Sequence, residues 1–284
     1  MPSQRDLRRR IGAVRNTRQI TRAMQFVAAS KLKRAQEADL AARPYDEIMD
    51  EVLADLAAVL DVEDHPLFAR HDGGDRLLVV MTTDRGLCGP LNTNVVRTVL
   101  REVLDDPGRV STVTAGRKGR DALRRARVPI VAHFAGFGDR PSFGDVIPLA
   151  RLVTDDFLAG RYGQVDLIYP RFVSTLVQRP VVEPVLPIQP AADTQGIPGR
   201  QFIFEPDPAT VLARLLPRYV ATSIFQAVLE TTASEMSSKM VAMKNATENA
   251  EELIDELTLS YNKVRQANIT REMIEIASGS RTRA

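Results

Sequence analysis

The 284-residue chain has little of what most catalytic or covalently stabilised proteins need. It contains one cysteine (Cys88), no tryptophan and three histidines, and aromatic residues make up only 5% of it. A single cysteine excludes an internal disulfide and a zinc site built from cysteine pairs. The histidines, His65, His71 and His133, are scattered and do not have the spacing of metal ligands. The sequence therefore predicts a protein without a metal or other cofactor.

Long apolar segments are also missing. No run approaches the roughly 18–20 apolar residues that cross a bilayer. The first residues, Met-Pro-Ser-Gln-Arg, lack the apolar stretch of a signal peptide. Hydrophobic residues make up 44% of the chain and charged residues 26%, values that are ordinary for a water-soluble protein. We expect a cytosolic protein that does not span a membrane.

The feature that the sequence does have is a very long helix, predicted over residues 207–279. Asp207 is a suitable N-cap, and Pro208 suits the first helical position. Gly279 is predicted to end the helix, because glycine enters the left-handed cap conformation without a steric clash. Pro217 is the one breaker inside it and is expected to kink the helix without ending it. At 1.5 Å per residue such a helix is about 100 Å long, far longer than a globular domain needs.

Two tracks of this helix repeat every seven residues. The first track is Met240, Thr247, Ile254 and Tyr261, and the second is Met243, Ala250, Leu257 and Val264. Two such tracks form the a/d seam of a coiled coil, which requires a partner helix. Acidic and basic residues lie largely off this seam. The pattern favours a coiled coil over a long surface helix of a globular enzyme.

A second long helix is predicted at the N-terminal end, where Ser3 and Asp6 form a weak capping box. Its apolar stripe is Leu7, Ile11 and Val14, and after a slip in register Ile20, Met24, Val27 and Lys31. Beyond Pro44 the apolar side continues through Ile48, Val52, Leu53, Leu56, Val59 and Leu60. The imperfect stripe suits a helix that wraps around a partner. Because the two long helices lie on either side of a folded segment, they are antiparallel if they pair.

The N-terminal helix is strongly basic. Residues 5–34 contain ten lysines or arginines, with Asp6 as the single acidic residue. Such a block is typical of a phosphate-binding arm in a nucleic-acid-binding protein. It equally suits a protein partner with acidic loops, or a solvated face without a partner. These residues alone leave the three interpretations open.

Between the helices, strands and helices alternate. Strands are predicted at 76–82, 110–115, 128–134, 165–169 and 201–205, helices at 92–104, 118–126 and 145–159, and an antiparallel pair or edge ribbon at 172–188. This alternation predicts a Rossmann-like α/β domain with a mostly parallel sheet of about five strands. The predicted domains are residues 1–60, 75–206 and 207–284, and the first and last form one discontinuous unit.

Two segments of the middle domain are candidates for ligand binding. Residues 84–89 follow a strand, where α/β proteins often place ligands, and residues 116–120 could hold a phosphate at a helix N-terminus. Neither segment matches the glycine pattern of a phosphate loop or of a dinucleotide fold. Nothing in the sequence pairs Cys88 with a histidine as a nucleophile would require. A nucleotide- or phosphate-binding enzyme stays open, although no catalytic constellation is found.

Three stretches resemble the gamma subunit of F-type ATP synthase, of the bacterial type. They are NTRQITRAMQFVAASKLKRAQ (16–36), TTDRGLCGPLN (82–92) and the C-terminal pair SSKMVAMKNATENAEELI (237–254) and NKVRQANITREMIEIASG (262–279). Together they bracket essentially the whole chain. The resemblance implies that the terminal helices form an antiparallel coiled coil inside a hexamer of alternating alpha and beta subunits. It also implies that the α/β domain lies against the epsilon subunit and the membrane ring of c subunits.

The function that the resemblance implies is that of a central rotary shaft. Such a shaft transmits torque between the proton-driven c-ring and the catalytic hexamer, and so couples proton transport to ATP synthesis and hydrolysis. It is a non-catalytic subunit that holds no cofactor and binds no nucleic acid. The implied location is peripheral, on the cytoplasmic side of the plasma (inner) membrane.

The resemblance also implies the residues that contact the beta subunits. They are Arg8, Arg9, Arg22, Met24, Lys239, Arg265, Gln266, Thr270 and Glu272. Met24 equally suits a packing position of the coiled coil. The chain departs from the family pattern at Lys239, where arginine is frequent, and at Pro90, where a second glycine is usual. Cys88 alone excludes the thiol pair of the redox-switchable plastid proteins.

Overall fold

The computed structural model describes residues 3–59, 65–69, 74–189 and 205–281. Its two long helices are α1 (Gln4–Val59) and α5 (Pro208–Arg281). Between them in the chain lie the strands β1 (Asp75–Met81), β2 (Val110–Ala115), β3 (Ile130–Phe134), β4 (Tyr162–Phe172) and β5 (Gln178–Leu186) and the helices α2 (Leu91–Asp105), α3 (Arg117–Arg125) and α4 (Phe143–Leu158). The predicted fold class, a five-stranded α/β sheet between long paired terminal helices, is confirmed.

Contacts divide the chain into two compact units. The first contains the chain up to Ala28 and from Met240 onward, and the second contains residues 29–239. Both divisions fall inside the long helices, so the second unit includes the later part of α1 and the earlier part of α5 together with the sheet. The predicted domain limits at residues 60, 75 and 207 stay predictions.

In the first unit α1 and α5 run antiparallel. The side-chain amide of Gln4 donates a hydrogen bond to the hydroxyl of Tyr261 at 3.1 Å. Further along α1, the hydroxyls of Thr21 and Thr247 are hydrogen-bonded at 2.8 Å. Residue numbers on α5 fall as those on α1 rise, which is the direction that the sequence predicted for a pair of terminal helices.

The predicted seam of α5 is confirmed. All eight of its positions are buried or half-buried, and Met243, Thr247, Ala250 and Ile254 are each less than one-tenth exposed. Charged neighbours such as Glu248 are exposed. This division into a buried seam and a solvated remainder is what a seven-residue repeat produces when a second helix covers one side.

In its second half the predicted stripe of α1 is wrong at Ile20 and Val27, although Met24 and Lys31 are half-buried. Ile20 and Val27 are 60% and 53% exposed, whereas the adjacent Thr21 and Ala28 are 8% and 2% exposed. The buried or half-buried track is Leu7, Ile11, Val14, Arg18, Thr21, Gln25 and Ala28, with spacings of four and three. The helix therefore keeps a strict heptad with no slip in register. Hydropathy favours the burial of Ile20 and Val27. The structure instead buries the small Ala28 and Thr21, whose hydroxyl bonds across the seam.

A similar one-residue error occurs later in α1. Ile48 was predicted to face the core but is 59% exposed, and Met49 is buried in its place together with Leu53 and Leu56. These three residues continue the spacing of four and three. The predicted Val59 and Leu60 lie outside the residues whose side chains the structure describes.

The helix starts follow the predicted chemistry. The Ser3 hydroxyl accepts the backbone N–H of Asp6 at 3.2 Å, and the Asp207 carboxylate accepts the N–H of Thr210 at 2.8 Å. The predicted end of α5 at Gly279 is wrong, because the helix continues to its last described residue, Arg281. Glycine permits the left-handed cap conformation but does not require it, so it is a weak stop signal when no other feature ends the helix.

The sheet of the second unit has the strand order β3-β2-β1-β4-β5. The first four strands are parallel, and β5 is antiparallel to β4 at one edge. The antiparallel edge ribbon predicted over residues 172–188 is confirmed. Of the predicted last strand, residues 201–204 lie outside the described part of the chain.

Helices cover both faces of this sheet. On one face Leu77, Val79 and Met81 of β1 belong to a core that also contains buried residues of α1, α4 and α5. On the other face Leu78 and Val80 pack in a smaller core with residues of α2 and α3. A strand that is apolar on both sides is expected in the middle of a parallel sheet, which explains the unbroken apolar run of β1.

Replacing Ala28 by aspartate tests the corrected register. Because Ala28 is buried in the seam, we expect Ala28→Asp to lower the free energy of unfolding by about 3 kcal/mol or more. Its neighbour is the matched control, and Val27→Asp should change that free energy by less than about 1 kcal/mol. Chemical unfolding followed by circular dichroism measures both values. A larger loss for Val27→Asp than for Ala28→Asp would contradict the register.

Candidate partner-binding site

The predicted contact residues of α5 beyond Tyr261 are all exposed. They are Arg265, Gln266, Thr270 and Glu272. In the described part of the chain none of these four side chains makes a hydrogen bond or ion pair. Ile269 and Met273, which lie among them, are 47% and 59% exposed. This segment of α5 thus presents both polar and apolar side chains to solvent.

The predicted contact residues of α1 lie on a basic surface. Arg8, Arg9 and Arg22 are exposed, while Met24 is half-buried. We define the basic face as the six exposed arginines of α1 that have no carboxylate within 4.0 Å among the described residues: Arg5, Arg8, Arg9, Arg10, Arg15 and Arg22. Three other cations of the block are paired: Arg18 with Glu251 at 3.6 Å, Lys31 with Asp139, and Lys33 with Glu37 at 3.9 Å. Most of the positive charge is therefore not neutralised inside the chain.

Lys239 belongs to the second unit and has a different environment. Its ammonium lies 2.6 Å from the carboxylate of Glu235, one helical turn earlier. Its side chain is only 13% exposed. The charge of Lys239 is therefore already paired within α5, and the role of this residue in partner binding stays a prediction.

The phosphate site considered for residues 116–120 would lie at the N-terminus of α3, where the backbone N–H groups already have partners in the chain. The Asp84 carboxylate accepts the backbone N–H groups of Arg117 at 3.0 Å and Gly136 at 2.8 Å. The next two N–H groups of α3 are also taken, that of Lys118 by a backbone carbonyl and that of Gly119 by the Thr82 hydroxyl. The position that a phosphate would occupy is thus filled by a carboxylate of the chain itself.

The glycines that suggested a phosphate loop have a packing role. A Cβ atom on Gly116 would lie 2.1 Å from the carbonyl oxygen of Thr82, and one on Gly119 would lie 2.6 Å from the Thr82 hydroxyl. Gly116 also has φ of +116°, a conformation that other residues rarely adopt. These glycines allow the start of α3 to approach the end of β1 closely.

The Cys88 thiol is not placed for catalysis. The residue is 2% exposed, and the side-chain amide of Asn92 donates a hydrogen bond to its sulfur at 3.2 Å. Burial raises the pKa of the thiol, which keeps it protonated at neutral pH. Its backbone carbonyl accepts the Ser238 hydroxyl at 2.6 Å, so this turn serves to attach the sheet domain to α5.

A second attachment was not foreseen from the sequence. The carboxylate of Glu230 on α5 accepts the backbone N–H of Phe172 at 3.1 Å, and Arg171 lies 3.9 Å away. The pKa of Glu230 is raised to about 7, chiefly by burial and also by the nearby carboxylates of Asp39 and Glu183. The role of Glu230 is visible only in its contact with Phe172, which is distant in the chain, because in the sequence Glu230 is an ordinary helical glutamate.

Two serines extend this attachment along α5. The Ser234 hydroxyl donates to the carbonyl of Pro170 at 2.7 Å, and the Ser237 hydroxyl donates to the carbonyl of Thr175 at 2.6 Å. Together with Glu230 they form one stripe of α5 that holds the β4–β5 hairpin. Polar side chains on this part of α5 thus satisfy backbone groups of the hairpin that the helix covers.

Two further features are absent from the described residues. No helix there is long and apolar enough to cross a membrane. In the same ranges, no group of three or more histidine, cysteine, aspartate or glutamate side chains is arranged to hold a metal ion.

These features define a class of protein, a stalk subunit in which paired terminal helices lie on either side of an α/β domain in the chain. A family model described as ATP synthase matches residues 3–282. The chain is 46% identical over 282 residues to the ATP synthase gamma chain of Dehalococcoides mccartyi (strain CBDB1), with 99% of each chain covered. It is 44% identical over 280 residues to that of Pelotomaculum thermopropionicum, again over 99% of each. The chain belongs to the family of ATP synthase gamma chains.

Solved structures agree with this fold. A chain from the Tetrahymena thermophila mitochondrial ATP synthase central stalk and c-ring has 25% identity and a TM-score of 0.62, covering 80% of this chain and 99% of that one. A rotor chain of the Euglena gracilis mitochondrial enzyme has 21% identity and a TM-score of 0.69, covering 94% and 98%. The gamma chain is a structural, rotary subunit of ATP synthase and is not itself catalytic.

Replacing Glu230 by glutamine tests the attachment of the hairpin. The folded-state pKa of about 7 lies above the ordinary value of 4.5, so the carboxyl group contributes stability below about pH 4.5 that is lost as the pH rises through 7. Glutamine keeps an oxygen for the Phe172 N–H but does not titrate. The free energy of unfolding of the native chain should therefore fall by about 1 kcal/mol more than that of Glu230→Gln between about pH 5 and pH 8.

Glu252→Gln, at an exposed position of α5, is the control for this measurement, and its unfolding free energy should depend on pH as that of the native chain does. Identical pH profiles for the native chain and Glu230→Gln would show that the carboxyl group titrates normally.

Proposed function

We propose that this chain is the central rotary shaft of an F-type ATP synthase. It transmits torque between the proton-driven c-ring and the catalytic hexamer of alpha and beta subunits, and it couples proton transport to ATP synthesis and hydrolysis. The observation that carries the proposal is that α1 and α5 pair in antiparallel directions while exposed cations cover the outer surface of α1. Two helices locked along a heptad seam resist twisting better than one helix alone, as torque transmission requires.

The basic face of α1 supplies contacts of the strength that rotation needs. A shaft must grip each partner in turn and then release it, so its individual contacts have to be weak. Exposed ion pairs contribute only about 0–1 kcal/mol each in water. Six exposed arginines therefore provide attraction to acidic loops of the beta subunits without a large apolar anchor that would hold the shaft in one position.

Nine residues of the two long helices contact the beta subunits. On α1 they are Arg8, Arg9, Arg22 and Met24, and on α5 they are Lys239, Arg265, Gln266, Thr270 and Glu272. Arg265 offers a planar guanidinium that can bind a carboxylate through two hydrogen bonds, which defines an angular position better than a lysine does. Lys239 would act by sharing or exchanging its bond with Glu235.

The partners of the sheet domain are the epsilon subunit and the c-ring. The complex is associated with the membrane, and the chain takes a peripheral position on the cytoplasmic side of the plasma membrane. The bacterial origin of its similar relatives supports this location.

Co-expression with alpha and beta subunits of a bacterial ATP synthase tests the proposal. We expect a complex with one copy of this chain per hexamer, and ATP hydrolysis faster than that of the hexamer alone. Size-exclusion chromatography with mass determination measures the composition, and a coupled ATPase assay measures the rate. Elution of the chain apart from the hexamer at native ionic strength would contradict the shaft function.

A triple alanine replacement of Gln266, Thr270 and Glu272 tests the contact residues. Because these side chains are exposed, helix content and assembly should stay unchanged, while ATP-driven torque falls as each lost contact removes about 0.2–1 kcal/mol. Torque is measured on single complexes that rotate a bead attached to this chain. Glu256, Ser260 and Lys263, also exposed on α5, are replaced by alanine as a control and should leave torque unchanged. Full torque in the first variant would remove these residues from the site.

A further inference from the structure

A groove between α4 and the earlier part of α5 is lined by none of the residues proposed to contact the beta subunits. It lies in the second unit and has a volume of about 410 Å³. Its apolar lining consists of Phe143, Ile147, Ala150, Leu158, Pro217 and Ala221. A second cavity of about 200 Å³ shares Phe143 and Arg218 with the groove and extends it toward Tyr45 on α1. Leu158, at 46% exposure, and Tyr45, at 41%, are apolar surfaces that this chain leaves uncovered.

The groove is rimmed by positive charge. Arg151 of α4 and Arg214 and Arg218 of α5 line it, against one carboxylate, that of Asp155. All three arginines are exposed, and among the described residues none has a carboxylate within 4.0 Å. The rim therefore attracts negative charge, and that charge is not supplied by the described part of the chain.

Arg218 is held in a position to accept such a partner. Its guanidinium carbon lies 5.5 Å from the centre of the Tyr45 ring and 5.8 Å from that of Phe143. Phe143 is in turn fixed by an edge-on contact with Phe225, with ring centres 5.7 Å apart. Stacking uses the faces of a guanidinium and leaves its N–H donors in the plane free for a carboxylate. The aromatic rings thus orient the cation at the point where the two cavities meet.

We propose that this groove docks an amphipathic helix of a partner protein, with the apolar side of that helix on the groove and acidic side chains on the arginine rim. A groove between two helices accepts apolar anchors spaced at i, i+3, i+4 and i+7 of a third helix. Three separated guanidiniums match several carboxylates along one helix. A single small anion, such as a fatty acid, needs one of them and would leave the other two without a partner.

The first test uses a synthetic helical peptide with leucines at i, i+3, i+4 and i+7 and flanking glutamates. Binding to the isolated full-length chain is followed by fluorescence anisotropy. We expect saturable binding that weakens at least tenfold in Arg151→Glu/Arg214→Glu and in Leu158→Asp. The matched control is Arg97→Glu/Arg101→Glu, which reverses two exposed arginines of α2 and should bind as the native chain does. Circular dichroism melting shows that each variant is folded.

Two further probes distinguish an acidic helix from other occupants of the groove. The same peptide with lysine in place of glutamate should bind at least tenfold more weakly, and equal binding would overturn the charge argument. Dodecanoate should not displace the acidic peptide. Displacement by dodecanoate at a one-to-one ratio would overturn the helix and identify the groove as a site for a small amphipathic anion.

The native occupant is tested in the assembled ATP synthase with the variant Leu158→Cys. The chain's own cysteine, Cys88, is buried and should react slowly. Maleimide labelling of the thiol introduced at position 158 should be at least tenfold slower in the complex than in the isolated chain. Leu104→Cys, at a position that is 75% exposed on α2, is the control for general loss of access. Equal labelling rates at position 158 in the two states would overturn the proposal.

Discussion

The heptad seam between α1 and α5 is the constraint on which the rest of the structure depends. It pairs the two ends of the chain, so everything between residues 59 and 208 is an insertion between two partner helices. The seam contains threonine and alanine at positions where a globular core would have isoleucine or leucine. Small side chains bring helix axes close together, and the buried Thr21–Thr247 hydrogen bond favours one register over its neighbours. Each hydroxyl also lies within hydrogen-bond distance of a carbonyl of its own helix, that of Arg18 for Thr21 and that of Met243 for Thr247, so a shifted register would lose only the bond between the two helices.

This seam also marks how far the sequence could predict the fold. The repeat on α5 was visible because methionine, isoleucine and leucine occupy it, and the alternating strands were visible because β1 and β2 are apolar on both faces. On α1 the repeat was hidden, since Ile20 and Val27 look more suitable for burial than Thr21 and Ala28 do. Which of two adjacent residues faces a partner helix depends on the distance between the helices, and hydropathy carries no information about that distance.

The candidate sites show the same limit for a different reason. The segment with two glycines and three cations at the start of α3 has the composition of a phosphate loop, yet Asp84 from another strand end fills it. A parallel sheet gathers the ends of β1, β2 and β3 at one edge, and only the three-dimensional structure shows that side chains of the chain occupy the ligand position there. The fold is therefore shared with nucleotide-binding domains while the chemistry is not. The proposed contact residues of the shaft were predicted from resemblance alone, because exposed polar residues on a helix have no distinguishing pattern.

The distribution of charge explains how one chain can be internally stiff and still release its contacts with other subunits. The carboxylates of the second unit are largely used inside the chain, where Asp84 closes a helix end and Glu230 attaches the hairpin. The arginines of α1 and of the α4–α5 groove are largely left over. Internal polar groups with several partners are difficult to break, so they keep the sheet domain fixed to α5. Exposed cations with no internal partner among the described residues pair and separate easily, and this difference lets contacts with other subunits change while the chain itself keeps its structure.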